Sequence, residues 1–229
     1  MTPFVNVLWP AAPAGGVSLE SSATSSEDDL TSTHTVSLPA SIADGDVVVI
    51  ALNAGTSGSQ WVEPTGWTLH SISTSGGHAA VLRRACDGSE GATLSVNTDD
   101  GAGTPTNSRS THVAQRYSGV AVAEAAWFAI ATDTSRTPPN VTPAWGEAEN
   151  AWLAMLSASA SNWNATAPTN YGDAGTAANG SSSASTRTKT ILAHRILTAT
   201  SEQPGAWGIT DDTDMTAERV ATIALRPAA

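Results

Sequence analysis

The chain has 229 residues, a net charge of −11, 14% charged and 40% hydrophobic residues. That length holds one large all-β domain or two small ones, and the apolar fraction excludes a solvated disordered chain. No Lys or Arg precedes Arg83, while seven acidic residues do; phosphate backbones and anionic lipid surfaces are bound by basic side chains, so neither nucleic acid nor a membrane surface is an expected partner.

Residues 1–30 read as an amino-terminal arm. Pro3, Pro10 and Pro13 interleave with Phe4, Val5, Val7, Leu8 and Trp9, and a Ser/Glu/Asp run follows through Asp29. Phe4, Leu8 and Trp9 are the candidate anchor of this arm, docking on its own domain or on a neighbouring subunit. The start lacks the basic residues of a secretory signal, and no run reaches membrane-spanning length. The expectation is a protein made in a cytoplasm, with no membrane insertion.

From Thr33 the pattern is that of strands. His34 to Leu38 alternates polar and apolar, as a half-buried strand does. Asp44-Gly45-Asp46 is a turn that launches Val47 to Leu52, a continuous apolar run suited to a central strand buried on both faces. Further strands are predicted at 67–72, 79–86, 93–96, 111–117 and 120–131. After a Pro/Thr-rich join, others follow at 151–159, 188–197, 205–210 and 217–225. Asp87-Gly88 is a strong turn signal, and Thr166 to Thr186 reads as a long polar surface loop. The fold class expected is all-β, a jelly-roll-like β-sandwich over residues 31–229.

The chain also echoes itself. Val47 to Leu52 is answered by Ala151 to Leu156, Val81 to Ala85 by Ile191 to Ile196, and Arg109 to Tyr117 by Glu218 to Arg226. The two echoes cover about 36–131 and 140–229. One strand-built unit used twice predicts a scaffold before it predicts an enzyme.

Catalytic chemistry is sparse. The five histidines, at 34, 70, 78, 112 and 194, form no zinc-ligand spacing. Those at 70, 112 and 194 fall in strands and are expected to face outward. No nucleophile elbow, phosphate loop or dinucleotide fingerprint occurs, so no catalytic residue and no cofactor are assigned. Asp99-Asp100 and the run Asp211, Asp212, Asp214 read as turns; the latter are weak calcium candidates, and a hydrolase would draw on the same carboxylates. Cys86, the single cysteine, reads as a small buried hydrophobe.

Eight Trp stand against two Phe and two Tyr. Trp127 and Trp152 lie in apolar runs and are expected in the core. Trp61, Trp145 and Trp163 lie among Ser, Asn, Gln and Gly. Gln60, Trp61, Asn162, Trp163 and Asn164 are candidate glycan-binding residues, since sugars stack on indole faces and bond to neighbouring amides. The alternative is that each indole covers an end of the sandwich or fills a subunit contact.

One string resembles a known module. Leu38-Pro39-Ala40-Ser41-Ile42-Ala43-Asp44-Gly45-Asp46-Val47-Val48-Val49 combines with Pro64-Thr65-Gly66-Trp67-Thr68-Leu69, with Asp87-Gly88-Ser89-Glu90-Gly91-Ala92-Thr93-Leu94 and with Arg116-Tyr117-Ser118-Gly119-Val120. Together they look like a β-sandwich module of tailed-bacteriophage virion proteins, found in minor tail, tail-fibre and head-surface proteins. The likeness covers about residues 36–120 well and the second echo loosely. It implies a non-enzymatic virion component in contact with other virion proteins, a homo-oligomer and often a trimer. A minor tail or tail-tip role with host-surface glycan contact is expected first, and a capsid decoration or spike second. A free carbohydrate-binding module is the competing class.

Overall fold

The computed structural model describes residues 16–74, 77–121, 127–132, 135–159, 163–179, 187–210 and 215–228. Strand follows strand in its first part: β1 (Ser18–Thr31), β2 (Thr33–Ser37), β3 (Asp44–Ala54), β4 (Gln60–Trp61) and β5 (Thr68–Thr74). Next come β6 (Gly77–Asp87), β7 (Thr93–Asp99), β8 (Ser108–Ser118), β9 (Trp127–Thr132) and β10 (Ala148–Ser159). The chain ends with β11 (Asn164–Thr166), β12 (Gly172–Ala178), β13 (Thr188–Ala199), β14 (Gly208–Thr210) and β15 (Thr216–Leu225).

These strands build four layers. A five-stranded sheet in the order β1-β8-β3-β6-β5 faces a second in the order β12-β13-β10-β15-β9. Val47, Val49, Ala51, Val113 and Tyr117 of the first pack on Ala151, Leu153, Met155, Leu192 and Ile223 of the second. The outer face of the first sheet is covered by the three-stranded sheet β2-β7-β4, where Val48, Ile50, Leu52 and Ala114 meet Val36, Trp61, Trp67 and Val96. The outer face of the second is covered by the β11–β14 pair and its loops, where Trp152, Leu156 and Ile191 meet Trp163, Tyr171 and Trp207. Both faces of β3 and β10 are therefore buried. That is why their sequences read as unbroken apolar runs rather than alternating ones.

The two five-stranded sheets stack face to face. β3 and β10 are the middle strands of the two sheets; β8 and β6 flank β3, and β13 and β15 flank β10. In the stack β1 packs against β12 and β5 against β9.

Two expectations are corrected. Residues 18–31 belong to the sandwich as its longest strand, so the arm ends before Ser18. The supposed loop at 166–186 contains edge strand β12. Of the strand expected at 120–131, residues 122–126 lie outside the described residues, Trp127–Thr132 is strand, and Val120 makes a single bridge to Pro227. The anchor residues Phe4, Leu8 and Trp9 lie outside the described residues.

The recognised motifs are turn chemistry. In the Asp44-Gly45-Asp46 turn Gly45 takes φ 86°, a conformation that glycine adopts without strain. Asp46 Oδ2 then accepts the Ala43 N–H at 2.8 Å and pairs with Arg116 Nη1 at 3.0 Å. One motif is thus tied to another, because Arg116 opens the Arg-Tyr-Ser-Gly-Val segment. In the hairpin after Asp87, Glu90 accepts the Asp87 and Gly88 N–H groups at 2.9 and 3.0 Å and meets Arg84 Nε at 3.0 Å, with its side chain 1% exposed. Removing a buried acceptor with charged and backbone partners costs about 1–3 kcal/mol. Glu90→Ala is accordingly expected to lose that much stability, read as a lower urea midpoint at unchanged m-value.

Candidate functional site

The candidate glycan residues do not form one site. Trp61 lies between the first five-stranded sheet and its cover, 4% exposed, and its Nε1–H donates to the His78 carbonyl at 3.0 Å. Trp163 lies on the far side of the molecule against the second sheet, 3% exposed, with Lys189 Nζ 5.0 Å from its ring centroid. A stacking platform needs an open ring face, and neither indole offers one. The expectation that these two rings stand exposed is corrected: they seal the outer layers. Gln60 is half-buried and Asn164 exposed, while Asn162 lies outside the described residues. Trp145 is half-buried and donates to Asn150 Oδ1 at 3.1 Å.

The carboxylate runs divide likewise. Asp99 Oδ1 accepts the Gly101 N–H, and Asp100 Oδ1 accepts those of Ala102 and Thr104, at 2.8, 2.8 and 3.0 Å. These are backbone-capping turns. Asp211, Asp212 and Asp214 lie outside the described residues. Among the described residues no group of three His, Cys, Asp or Glu could hold a metal ion. Cys86 is buried, and burial pushes its thiol up to about 12, away from thiolate chemistry.

The cluster of titratable groups that the fold does assemble has no counterpart among the sequence motifs. His34 on β2 and His112 on β8 are both fully buried, with ring centroids 6.2 Å apart and Trp61 beside them at 5.0 and 6.0 Å. Ser110 Oγ sits between the rings, 2.8 Å from His34 Nδ1 and 2.8 Å from His112 Nε2. His34 Nε2 reaches Thr98 Oγ1 at 3.0 Å, and His112 Nδ1 reaches Ser25 Oγ at 3.0 Å.

The direction of every bond follows from its two ends. Thr98 donates to the Thr106 carbonyl at 2.7 Å, and a carbonyl can only accept. Thr98 Oγ1 therefore accepts from His34 Nε2–H, which leaves His34 Nδ1 as an acceptor for Ser110 O–H. Ser110 Oγ in turn accepts from His112 Nε2–H, and His112 Nδ1 accepts from Ser25 O–H. Ser25 closes the chain by accepting the Ser37 N–H at 3.0 Å. Both rings are neutral in this scheme, and each ring nitrogen is satisfied. Desolvation pushes His34 down to about 4; desolvation, with His34 adding to it, pushes His112 down to about 3.

Ser25 and His112 have the spacing of a nucleophile and base, but not their chemistry. A ring held this far below neutral pH is a weak base, and Ser25 Oγ is already engaged by a backbone N–H. The cluster is built to join layers. Deleting the central hydroxyl tests this: Ser110→Ala leaves one ring acceptor and one ring donor without partners in a dry layer. The expected loss is about 2–3 kcal/mol in chemical denaturation.

The sequence did hold a signal for the cluster. His34 shares a face with Val36 and Leu38, and His112 with Ser110 and Ala114, both at strand period. The expectation that His112 faces outward, as a polar side chain in a strand, is corrected: it is buried because the three-stranded sheet covers that face.

A slot of about 220 Å³ opens between the edge strands β1 and β12, lined by Thr24, Ser25, Ser26, Thr176, Ala177 and Ala178. No family model, curated protein or solved structure matches the chain.

Proposed function

We propose that this chain is a non-enzymatic structural protein of a tailed-bacteriophage particle, carried in several copies as a minor tail or tail-tip component. One observation carries the reading. The motifs that resemble the virion module hold the first sheet together at its turns, through Asp46–Arg116 and through Glu90 with Arg84, as rigid scaffold rather than chemistry. The acidic surface and the sealed outer layers suit a particle component. The apolar residues Phe4, Leu8 and Trp9 would anchor the chain to its neighbours.

A second reading, a decoration or spike protein on the capsid, gains from the burial of Trp61 and Trp163. Those rings were the feature that pointed to host glycans, and without them a compact surface component explains the chain equally well.

Deletion of residues 1–15 tests the anchor. β1 begins at Ser18, so the shortened chain should fold and show the wild-type urea transition. It should also be missing from gradient-purified particles by mass spectrometry. Normal incorporation of the shortened chain would remove the anchor from the account.

A further inference from the structure

The buried histidine pair suggests a property that a purely structural reading does not contain. We propose that the chain Ser25–His112–Ser110–His34–Thr98 is an acid-sensitive latch, holding the three-stranded sheet β2-β7-β4 on the first five-stranded sheet at neutral pH and releasing it on acidification.

The geometry carries this. The latch bonds β2 and β7 of the cover to β1 and β8 of the sheet beneath, through five side chains and no carboxylate. Its hydrogen bonds all run one way, from Ser25 towards the Thr106 carbonyl, and that order requires one proton on each ring. A second proton on His34 must sit at Nδ1, where Ser110 now donates. Ser110 would then face an N–H from each ring at once and lose the acceptor for its own proton. A second proton on His112 as well would place two imidazolium ions 6.2 Å apart around a single hydroxyl. Charging both rings in this layer is opposed by desolvation and by mutual repulsion.

Among the described residues no neighbouring charged group bonds either ring. On β1, Glu27 bonds the Thr35 N–H at 3.0 Å instead of either ring. On β6, His78 gives its Nδ1–H to the Ser59 carbonyl at 3.0 Å and lies under the influence of Arg219 and Asp99. On β4, Trp61 offers an indole whose N–H is already used. On β3, the residue paired with His112 is Leu52.

The sign follows from proton binding. A released histidine takes up a proton below its ordinary value near 6.5, while the latched rings stay neutral well below that. The open form therefore binds more protons, and acid favours it. Each ring freed adds up to tenfold to the opening constant per pH unit below about 6.5.

Hydrogen exchange followed by mass spectrometry on the full chain, corrected for intrinsic rates, reads this directly. Between pH 7.5 and 5 the amides of β2 and β7 should lose at least tenfold in protection while those of β10 and β13 hold. The double variant His34→Gln, His112→Asn, which keeps neutral donors and acceptors, should abolish the acid response, whereas Glu27→Gln should retain it. Equal loss in β2 and β10, or an unchanged acid response in the double variant, would overturn the latch. Should the double variant fail to fold, NMR titration of the wild-type rings decides. Rings that stay neutral until the β2 amides open support it, and rings that titrate near 6.5 with β2 still protected refute it.

Discussion

Replacing Trp152 with alanine is expected to cost about 4–5 kcal/mol, near the upper end for a single core truncation. The side chain is fully buried at the centre of β10, where Arg195 and Ala224 are its cross-strand partners. Its indole packs in the cluster that also holds Trp163, Trp207 and Tyr171 of the cover. Large-to-small changes of this kind remove about 3–5 kcal/mol through lost transfer energy and the cavity left behind. The Nε1–H also donates to the Leu197 carbonyl at 3.1 Å, a part-buried bond that is lost with it. Trp152→Phe separates the two contributions, keeping most of the volume without the donor, and should cost about 1–2 kcal/mol. Urea denaturation of both variants with m-values near that of the wild type would verify the ranking.

Asp46→Ala is expected to cost about 3 kcal/mol, because one carboxylate serves two neighbours. It closes the turn by accepting the Ala43 N–H, and it neutralises Arg116 at 3.0 Å in a site where the two side chains are 8% and 14% exposed. Breaking a buried pair from one side leaves the other charge uncompensated, which is the expensive outcome. Arg116 would keep Ser21 Oγ at 3.2 Å, and its nearest remaining carboxylate would be Glu20 at 4.0 Å. The companion variant Arg116→Met, alone and with Asp46→Ala, completes a double-mutant cycle. The double change should cost clearly less than the two single costs added, because the second removal strands no further charge.

Much of this architecture was legible because burial leaves a period in sequence. Val47 to Leu52 and Ala151 to Leu156 announced two-sided central strands, and the Asp-Gly turns announced where strands reverse. β1 was not legible. Apart from Leu19 and Leu30 its residues are Ser, Thr, Ala and acidic side chains, with one set facing solvent and members of the other reaching β2, as when Ser25 and Glu27 take the Ser37 and Thr35 N–H groups. Such a strand carries no apolar alternation, since hydrogen bonds replace the apolar contacts made elsewhere. β12, built from Gly, Ala, Thr and one Asp, was hidden because side chains this small leave no apolar period, although Ala177 packs in the core. Strand period places His34 and His112 on buried faces, but the meeting of residues 34, 98, 110 and 112 comes from the packing of two sheets, and no local pattern encodes that. Trp61 and Trp163 misled in the opposite sense: polar neighbours in sequence surround rings that are buried in space.

The virion assignment is tested most directly by immunogold labelling of particles from a lysate of the host carrying this sequence, with an antibody against the folded chain. Gold at the tail is the predicted result, and gold over the capsid would replace the tail role with decoration. Particles that carry no gold, with the chain recovered only as free protein, would contradict the account.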